Sequence, residues 1–300
     1  MQDFRMETFL AVCRVMNYTR AAEQLHLTQP AVTQQIHFLE REYGVPLFRC
    51  QGRQVQLTEA GALLRRAALT MQDDERHLRD RMRRAGSARA SYRFGATLTV
   101  AEFLLPGNLA RLLAARPDSR VEMQVGNTRE LLEKLDTGTL DFAIVEGDFS
   151  RTEYDSLPFR TEAYTAAAAP ALAARLQGRA LAALQSETLI VRERGSGTRE
   201  ILETCLAGRG LELAGFANAV ELGSIGAIKE LTKAGLGVTF LYRAAIRREE
   251  AEGSLCPVAL ADFALSHEIL FIFRKNSIFR SDYEGLCRTL CGADGGAANG

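Results

Sequence analysis

The chain of 300 residues is 47% apolar and carries 37 basic and 37 acidic side chains, so its net charge gives no general attraction to nucleic acid. A chain of this length forms two or more buried cores, and no window approaches the roughly 18 to 20 apolar residues that cross a bilayer. The opening MQDFRMETFL lacks the apolar core of a signal peptide, and six scattered cysteines show no CxxC pair. We therefore expect a cytoplasmic protein of at least two domains, with reduced thiols, no metal, no cofactor and no membrane contact.

Residues 4 to 27 predict two short helices. Apolar side chains at helical spacing suit the inner face of a first helix that ends near Asn17. These side chains are Phe4, Phe9, Leu10, Val12 and Cys13. Thr19 is the expected N-cap of the second helix, in which Ala21 and Ala22 are small enough for another helix to approach closely.

Thr28 is the expected N-cap of a third helix, with Pro30 in its first turn, where a missing N–H costs nothing. Its buried stripe is expected at Val32, Ile36, Leu39 and Tyr43. Where a solvated helix usually carries charges, its outer face carries Gln29, Pro30, Thr33 and Gln34. Amides can bond to adenine edges, and hydroxyls or methyls can meet bases in the major groove. These four residues are therefore predicted to read DNA from a helix-turn-helix, with a plain solvated helix as the alternative.

Residues 47 to 57, LFRCQGRQVQL, predict a β-hairpin. Apolar residues alternate at Val55 and Leu57, and Gly52 separates two short runs. Arg49 and Arg53 would flank the tip, where they could contact phosphates or the minor groove. With the preceding helices, this hairpin predicts a winged helix-turn-helix over residues 1–58.

The segment AAEQLHLTQPAVTQQIHFLEREYGVPLFRCQGRQVQLTEAG, residues 21–61, resembles the N-terminal signature of LysR-type transcriptional regulators. It departs from that signature mildly, with Thr28 and Thr33 where serine is common and with Arg49 before Cys50 where the commoner order ends in arginine. The resemblance implies a regulator that binds promoter DNA as a homodimer or homotetramer and contacts RNA polymerase. Activation combined with self-repression is the expectation for this family.

Thr58 is the expected cap of a long helix that runs to about Arg84. Leu64, Met71 and Leu78 repeat every seven residues, with Ala60, Ala67 and Met82 on the same side. The pattern alone fits either a single solvated helix or a dimer seam. The LysR resemblance implies a dimer seam, in a linker over residues 59–86.

The remaining residues alternate strands and helices from Tyr92 onward, which favours parallel α/β units. The family resemblance extends here more weakly and implies a two-lobed effector domain like periplasmic binding proteins, over residues 91–292. The chain would cross to the second lobe near Glu162 and return near Ser266, giving lobe I over 91–161 and 267–292 and lobe II over 162–266. A disordered tail is expected at 293–300. The predicted fold class is thus α+β multidomain.

Three polar strand-to-helix steps predict an anion site in the crevice of this domain. In VRERGSGTRE, residues 191–200, a strand leads through Gly195, Ser196, Gly197 and Thr198 into a helix N-terminus, where free N–H groups attract anions. Taken alone, such a loop is more often a plain helix entry. Thr97, Thr99 and Ser224 occupy two similar steps, and together the three favour a small anionic effector. Arginines 192, 194 and 199 could supply neutralising charge or could be solvated.

The segments GATLTVAEFLLP and RERGSGTRE resemble those of LysR members that respond to sulfur oxyanions or that govern sulfur assimilation or carbon dioxide fixation. Leu98 stands where those members frequently have another hydroxyl. The resemblance implies sulfite, sulfate or another oxyanion as the effector.

Two other classes of protein are weighed against a regulator. An enzyme could use the glycine-rich loop on a phosphorylated substrate, but of four histidines only His267 lies in the C-terminal region, which leaves few acid–base groups. A solute-binding transport protein is disfavoured by the missing export signal. We therefore expect a regulator and not an enzyme.

Overall fold

The computed structural model describes residues 3–51, 54–83, 90–146 and 149–291. The chain divides into two compact units. The N-terminal unit holds residues up to Ser87 together with Asp136–Gly138 and Arg274–Arg280, and the C-terminal unit holds the rest. Both units mix helices with strands, which confirms the predicted fold class. No helix within the described ranges is long and apolar enough to cross a membrane.

The N-terminal unit is a three-helix bundle followed by a hairpin and a long helix. Its elements are α1 (Phe4–Val15), α2 (Tyr18–Leu25), α3 (Gln29–Tyr43), β1 (Phe48–Gln51), β2 (Gln54–Leu57) and α4 (Glu59–Arg83). The two strands pair antiparallel, with Phe48 opposite Leu57. This arrangement is the predicted winged helix-turn-helix with its linker helix.

A side-chain cap begins each of the four helices of the N-terminal unit. The Ala31 N–H donates to Thr28 Oγ1 at the start of α3, and the Gly61 N–H donates to Thr58 Oγ1 at the start of α4, as predicted. The predicted cap at Thr19 is wrong. The extended residue before α2 is Asn17, whose side-chain oxygen accepts from the Arg20 N–H at 3.0 Å.

The core of this unit lies between the three helices, the hairpin and the first part of α4. Ring centroids of Phe9 and Phe48 lie 5.5 Å apart, so α1 packs on the base of the hairpin. Two predicted core residues are exposed instead, Phe4 by 57% and Tyr43 by 49%. Each is the terminal residue of its helix, where the apolar stripe extends past the neighbouring helices.

Helix α4 presents an apolar stripe that the described residues leave exposed. Leu64 packs against the core, so the predicted position of the stripe is wrong by one residue at that end. The exposed side chains are those of Leu63, Ala67, Met71, Leu78 and Met82. At 100° per residue they fall within one face of the helix, the arrangement of a coiled-coil seam.

The C-terminal unit is built on one mixed sheet. Its strands are β3 (Ser91–Ala96), β4 (Arg120–Val125), β5 (Phe142–Val145), β6 (Tyr154–Ala168), β7 (Thr188–Arg192), β8 (Asn218–Leu222), β9 (Val238–Tyr242), β10 (Cys256–Val258) and β11 (Leu265–Arg274). They lie in the order β4-β3-β5-β11-β6-β9-β7-β8, with β10 paired to β6. The long strands β6 and β11 separate two parallel groups, β4-β3-β5 and β9-β7-β8.

Helices connect the parallel strands and cover the sheet. They are α5 (Pro106–Ala115), α6 (Thr128–Asp136), α7 (Pro170–Leu176), α8 (Gly197–Ala207), α9 (Ile225–Lys233), α10 (Arg247–Ala251) and α11 (Arg280–Cys291). A π-helical turn, Val100–Leu104, comes between β3 and α5. Apolar cores accompany both strand groups, one around Leu131 and Ile272 and one around Leu189 and Phe240. The exact lobe boundaries stay a prediction, and the tail at 293–300 lies outside the described residues.

Candidate functional site

The outer face of α3 brings four of the predicted DNA-binding residues together. Gln29, Pro30 and Gln34 are exposed and Thr33 is half-buried beside them. With His37 and Arg41 they line one shallow concave surface, which we call the reading face. The Gln29 amide donates to Thr33 Oγ1 at 2.9 Å, so these two side chains are already oriented by each other.

Contacts on the inner side of α3 fix how the reading face is presented. The Thr8 hydroxyl of α1 donates to Gln35 Oε1 at 2.6 Å. The Glu40 carboxylate accepts from the backbone N–H groups of Leu47 and Phe48 at 2.8 and 3.3 Å, which ties the base of the hairpin to α3. Sequence reasoning missed Glu40, although an acidic residue beside the buried stripe at Leu39 was a signal for such a bond.

The hairpin carries one predicted contact residue that can be described. Arg49 on β1 is exposed, and its Nε donates to Gln56 Oε1 on β2 at 3.3 Å. Cross-strand bonding holds this guanidinium against the wing, where it can meet a phosphate. Arg53 lies outside the described residues.

A cavity of about 320 Å³ opens in the C-terminal unit, where strands of both parallel groups end. Strands β3, β4, β5 and β7 all finish at its wall. Carboxyl ends of strands in open α/β sheets are the usual position of ligand sites. The lining residues are Thr97, Leu98, Val125, Gly126, Asn127, Glu130, Glu146, Arg192, Glu193, Arg194, Ser196 and Gly197.

The glycine-rich loop positions the N-terminus of α8 at this cavity. Gly195 adopts φ +86°, a conformation that other residues rarely adopt, so the turn needs glycine. Gly197 packs closely on Glu146, because a Cβ at this position would lie 3.1 Å from Glu146 Cγ. The Ser196 side chain makes no capping bond to α8, although this residue precedes the helix and is buried. The predicted loop is thus a close-packed entry into a helix N-terminus.

Four of the predicted hydroxyls lie in four different environments. Thr97 lines the cavity, and within the described residues its buried Oγ1 has no hydrogen-bond partner. Thr99, at the start of the π-helical turn, is equally buried with an unpartnered Oγ1 but does not line the cavity. Thr198 donates to Glu146 Oε1 at 3.1 Å. Ser224 accepts from the Ala227 N–H as the cap of α9 and is not among the lining residues.

The three candidate arginines each have an acidic partner. Arg192 is buried and donates to both carboxylate oxygens of Glu193, at 2.7 and 2.8 Å. Arg199 is buried between Glu203 and Glu221, at 2.7 and 2.6 Å. The backbone N–H of Arg194 donates to Glu221 at 3.3 Å, and the charge of the Arg194 side chain also interacts with this carboxylate. The cavity therefore carries little excess positive charge.

Glu146, which sequence reasoning missed, is the most buried acid of the cavity wall. It follows the four buried residues of β5, and its side chain is 2% exposed. Burial raises its pKa to about 7, against the opposing effects of the Thr198 hydrogen bond and the Arg192 charge. The neighbouring Tyr242 hydroxyl also opposes the rise of this pKa as a hydrogen-bonding group. Among the described residues, however, neither that hydroxyl nor Glu146 Oε2 has a partner at full hydrogen-bonding geometry. An acid directly after an apolar strand was the available sequence signal.

Comparison with known proteins gives matches along most of the chain. Residues 4–62 match the family described as bacterial regulatory helix-turn-helix protein, lysR family, and residues 85–282 match the LysR substrate binding domain.

Two relatives are regulators. The HTH-type transcriptional regulator CysL of Bacillus subtilis (strain 168) is 28% identical over 270 residues, covering 89% of each chain. The RuBisCO operon transcriptional regulator of Allochromatium vinosum is 28% identical over 274 residues, covering 90% of this chain and 89% of the relative. Among solved structures, full-length CbnR complexed with its target DNA has a TM-score of 0.54 at 20% identity, covering 97% of this chain and 100% of CbnR.

Proposed function

Because the chain belongs to the LysR family of transcriptional regulators, we propose that it binds a promoter through its reading face and responds to a small anion in its cavity. The two relatives are transcriptional regulators, so this chain is a regulator and the enzyme hypothesis is set aside. The RuBisCO operon regulator among them confirms the predicted likeness to regulators of carbon dioxide fixation. Promoter binding requires the chain to work in the compartment that holds the chromosome, the bacterial cytoplasm.

The main support for DNA reading is the group of exposed amide and hydroxyl side chains on α3. Gln29, Thr33 and Gln34 offer donors and acceptors near the N-terminus of the helix, the end that a helix-turn-helix inserts into the major groove. Arg41 at the other end of the face and Arg49 on the wing supply charge for phosphates. The solved CbnR complex contains DNA, which supports the same partner here.

The exposed stripe on α4 supports a homodimer. Leu63, Met71 and Met82 would each lose water on pairing with a second copy, and apolar burial is the main stabilisation of such seams. Pairing would set two reading faces one DNA turn apart on a partly palindromic site. Dimers would pair into homotetramers, and the bound assembly would contact RNA polymerase to activate transcription.

Anion binding is supported mainly by two groups that line the same cavity, the N-terminus of α8 and the unpartnered Thr97 hydroxyl. Helix N-termini and free hydroxyls stabilise small anions, and the cavity has room for one. Sulfite, sulfate or another oxyanion fits this chemistry. Ligand binding must favour one arrangement of the domain for transcription to respond.

DNA reading is tested by footprinting the DNA upstream of the gene and by measuring affinity with Gln34→Ala. Loss of one amide from the reading face is expected to weaken specific binding about tenfold or more, because a good base contact is worth roughly 1–3 kcal/mol. Gln72→Ala on α4, outside the reading face, is the matched control. Equal affinities of the two variants for the footprinted site would contradict the proposal.

Anion binding is tested by thermal shift of the full chain against sulfite, sulfate, thiosulfate, phosphate, nitrate and small carboxylates. A true ligand raises the Tm with its concentration. Thr97→Val is expected to abolish the rise while operator binding persists. No shift with any of these anions, or an unchanged shift in the variant, would refute the assigned cavity.

A further inference from the structure

Two thiols lie side by side at the end of α11. Cys287 and Cys291 are four residues apart on this helix, so they share one face, and their sulfur atoms are 3.8 Å apart. Both are free thiols, and among the cysteines that the structure describes no others have sulfur atoms at hydrogen-bonding distance from each other. Neither belongs to the reading face or to the cavity wall. The proposed function therefore makes no use of this pair of nucleophiles.

The two thiols differ in how far they are exposed. Cys287 is 4% exposed, whereas Cys291, the last residue of α11, is half-buried. Both sulfur atoms face the backbone of β6. Cys291 Sγ donates to the Phe159 carbonyl oxygen at 3.3 Å, and both sulfur atoms lie 4.0 Å from the carbonyl oxygen of Pro158. A small reagent from solvent therefore reaches Cys291 first, with Cys287 directly beside it.

The contact between the sulfur atoms gives the two thiols different reactivity. With Cys287 as the donor, its S–H stabilises a thiolate on Cys291 and lowers the pKa of that residue. The same bond, together with burial, raises the pKa of Cys287, which therefore keeps its proton. Because the thiolate is the nucleophilic form of cysteine, Cys291 is the attacking group of the pair and Cys287 is the thiol held next to it.

We propose that Cys287 and Cys291 form a redox-active dithiol, which a small hydroperoxide converts to a disulfide. In the first step the Cys291 thiolate attacks one peroxide oxygen, so that an S–O bond forms and the O–O bond breaks. Hydroxide leaves and takes up the proton that Cys291 had released, and Cys291 becomes a sulfenic acid. In the second step Cys287 sulfur attacks Cys291 sulfur, the S–O bond breaks, and water leaves with the Cys287 proton. In total two thiols are oxidised, and one hydrogen peroxide is reduced to two waters.

Closing the disulfide needs a movement at the end of the helix only. Cβ atoms four residues apart on a helix are about 5–6 Å apart. A disulfide needs about 3.5–4.5 Å between them. Cys291 is the last residue of α11, so it can move toward Cys287 without displacing a further turn of this helix. The disulfide carries no S–H, so the bond from Cys291 to the Phe159 carbonyl is lost and the contact of α11 with β6 changes.

The test is oxidation of the full chain with hydrogen peroxide, followed by blocking of free thiols, denaturation and digestion with trypsin without reduction. Trypsin cleaves after Arg280 and Arg288, so the two cysteines fall on different peptides, 281–288 and 289–300. Mass spectrometry is expected to show these peptides linked, and dithiothreitol should separate them. The link should form at least about tenfold faster than Cys205 is oxidised, because burial raises the pKa of that thiol.

Single variants assign the two roles. Cys287→Ser is expected to stop at the sulfenic acid of Cys291, which dimedone labels on peptide 289–300. Cys291→Ser removes the attacking thiol, so it should give no linked peptides and slow the oxidation of Cys287 about tenfold or more. Cys205→Ser changes a half-buried thiol on α8 and is the matched control. It should give the linked peptides at the rate of the wild type.

The peptide measurement on the wild type keeps the proposal testable if Cys287→Ser does not fold. Absence of the linked peptides would overturn the dithiol, whether the thiols stay reduced or pass on to sulfinic acid. A link that forms no faster than Cys205 is oxidised would overturn it as well. Undiminished oxidation of Cys287 in Cys291→Ser would overturn the assigned order of attack. These results are independent of the anion screen and of operator binding, which test the proposed function separately.

Discussion

The reading face and the anion cavity display polar side chains in opposite ways. On α3, Gln29 and Gln34 project into solvent from a helix whose other side is buried. In the cavity, Thr97 and Glu146 are buried, and each has an oxygen without a partner in the described part of the chain. Exposed polar groups can each bind a partner independently, whereas the chemistry of a buried group depends on its hydrogen-bonding neighbours and on nearby charges. The proposed reading of DNA would therefore depend on separable side chains, and the proposed selection of an anion on a network of buried groups.

The largest effect is expected where backbone packing supports the reading face. Gly61 lies in the first turn of α4. A Cβ at this position would clash with the backbone carbonyl of Leu47 and with the Leu57 side chain. Gly61→Ala is expected to destabilise the N-terminal unit by about 3 kcal/mol or more, because a backbone atom cannot move aside cheaply. Chemical denaturation and operator affinity measure this loss.

Gly107→Ala in α5 is the control for that change. A Cβ there meets no atom within 4 Å, so the substitution should be neutral or stabilising by up to about 1 kcal/mol. Equal effects of the two glycine substitutions would show that close packing at Gly61 does not support the reading face.

The pH dependence of stability isolates the cavity. Burial raises the Glu146 pKa from 4.5 to about 7, so between these values the folded chain keeps a proton that the unfolded chain releases. Its stabilising contribution is complete below about pH 4.5 and is lost as the pH rises through about 7. The loss is on the order of 3 kcal/mol, since one pKa unit corresponds to about 1.4 kcal/mol.

Denaturation of the wild type and of Glu146→Gln at about pH 5 and about pH 8 measures this difference. The wild type should lose stability between the two conditions relative to the variant. If the stabilities of the wild type and the variant changed in parallel with pH, Glu146 would ionise as an ordinary surface acid. The contrast between the reading face and the cavity would then disappear.

The smallest expected effect on stability is at the start of α2, where a capping hydrogen bond is made by Asn17 and not by Thr19. Asn17→Ala removes the side-chain oxygen that accepts from Arg20 and should cost about 1 kcal/mol. Thr19→Ala changes a residue inside the helix and should alter the free energy of unfolding by less than about 0.5 kcal/mol. Thermal denaturation of both variants decides between them, and a larger loss from Thr19→Ala would restore the cap predicted from sequence.

Local spacing made the N-terminal unit predictable. Caps such as Thr28 act within four residues, and the stripe from Val32 to Leu39 depends only on helical period. The wrong predictions concern residues at the ends of helices, where the exposure of a side chain depends on which neighbouring element covers it. Phe4 and Tyr43 could not be assigned by period alone, because the stripe continues past its partner helices.

The cavity was only partly predictable because it assembles distant segments. Hydroxyls at strand ends identified Thr97, and the glycine-rich loop identified Ser196 and Gly197. Glu146 acquires its chemistry from burial and from Thr198, 52 residues away in the chain, which no local pattern encodes. Ser224 followed the same local pattern as the others yet caps a different helix.

The bonds from Glu40 to the hairpin base have an evolutionary consequence. Because one carboxylate ties Leu47 and Phe48 to α3, the base of the hairpin is held to this helix. Substitutions on the outer side of α3 can then change the proposed base contacts without altering how the hairpin is attached to the helix. Promoter preference can diverge between descendants of such a chain while the mode of docking is inherited unchanged.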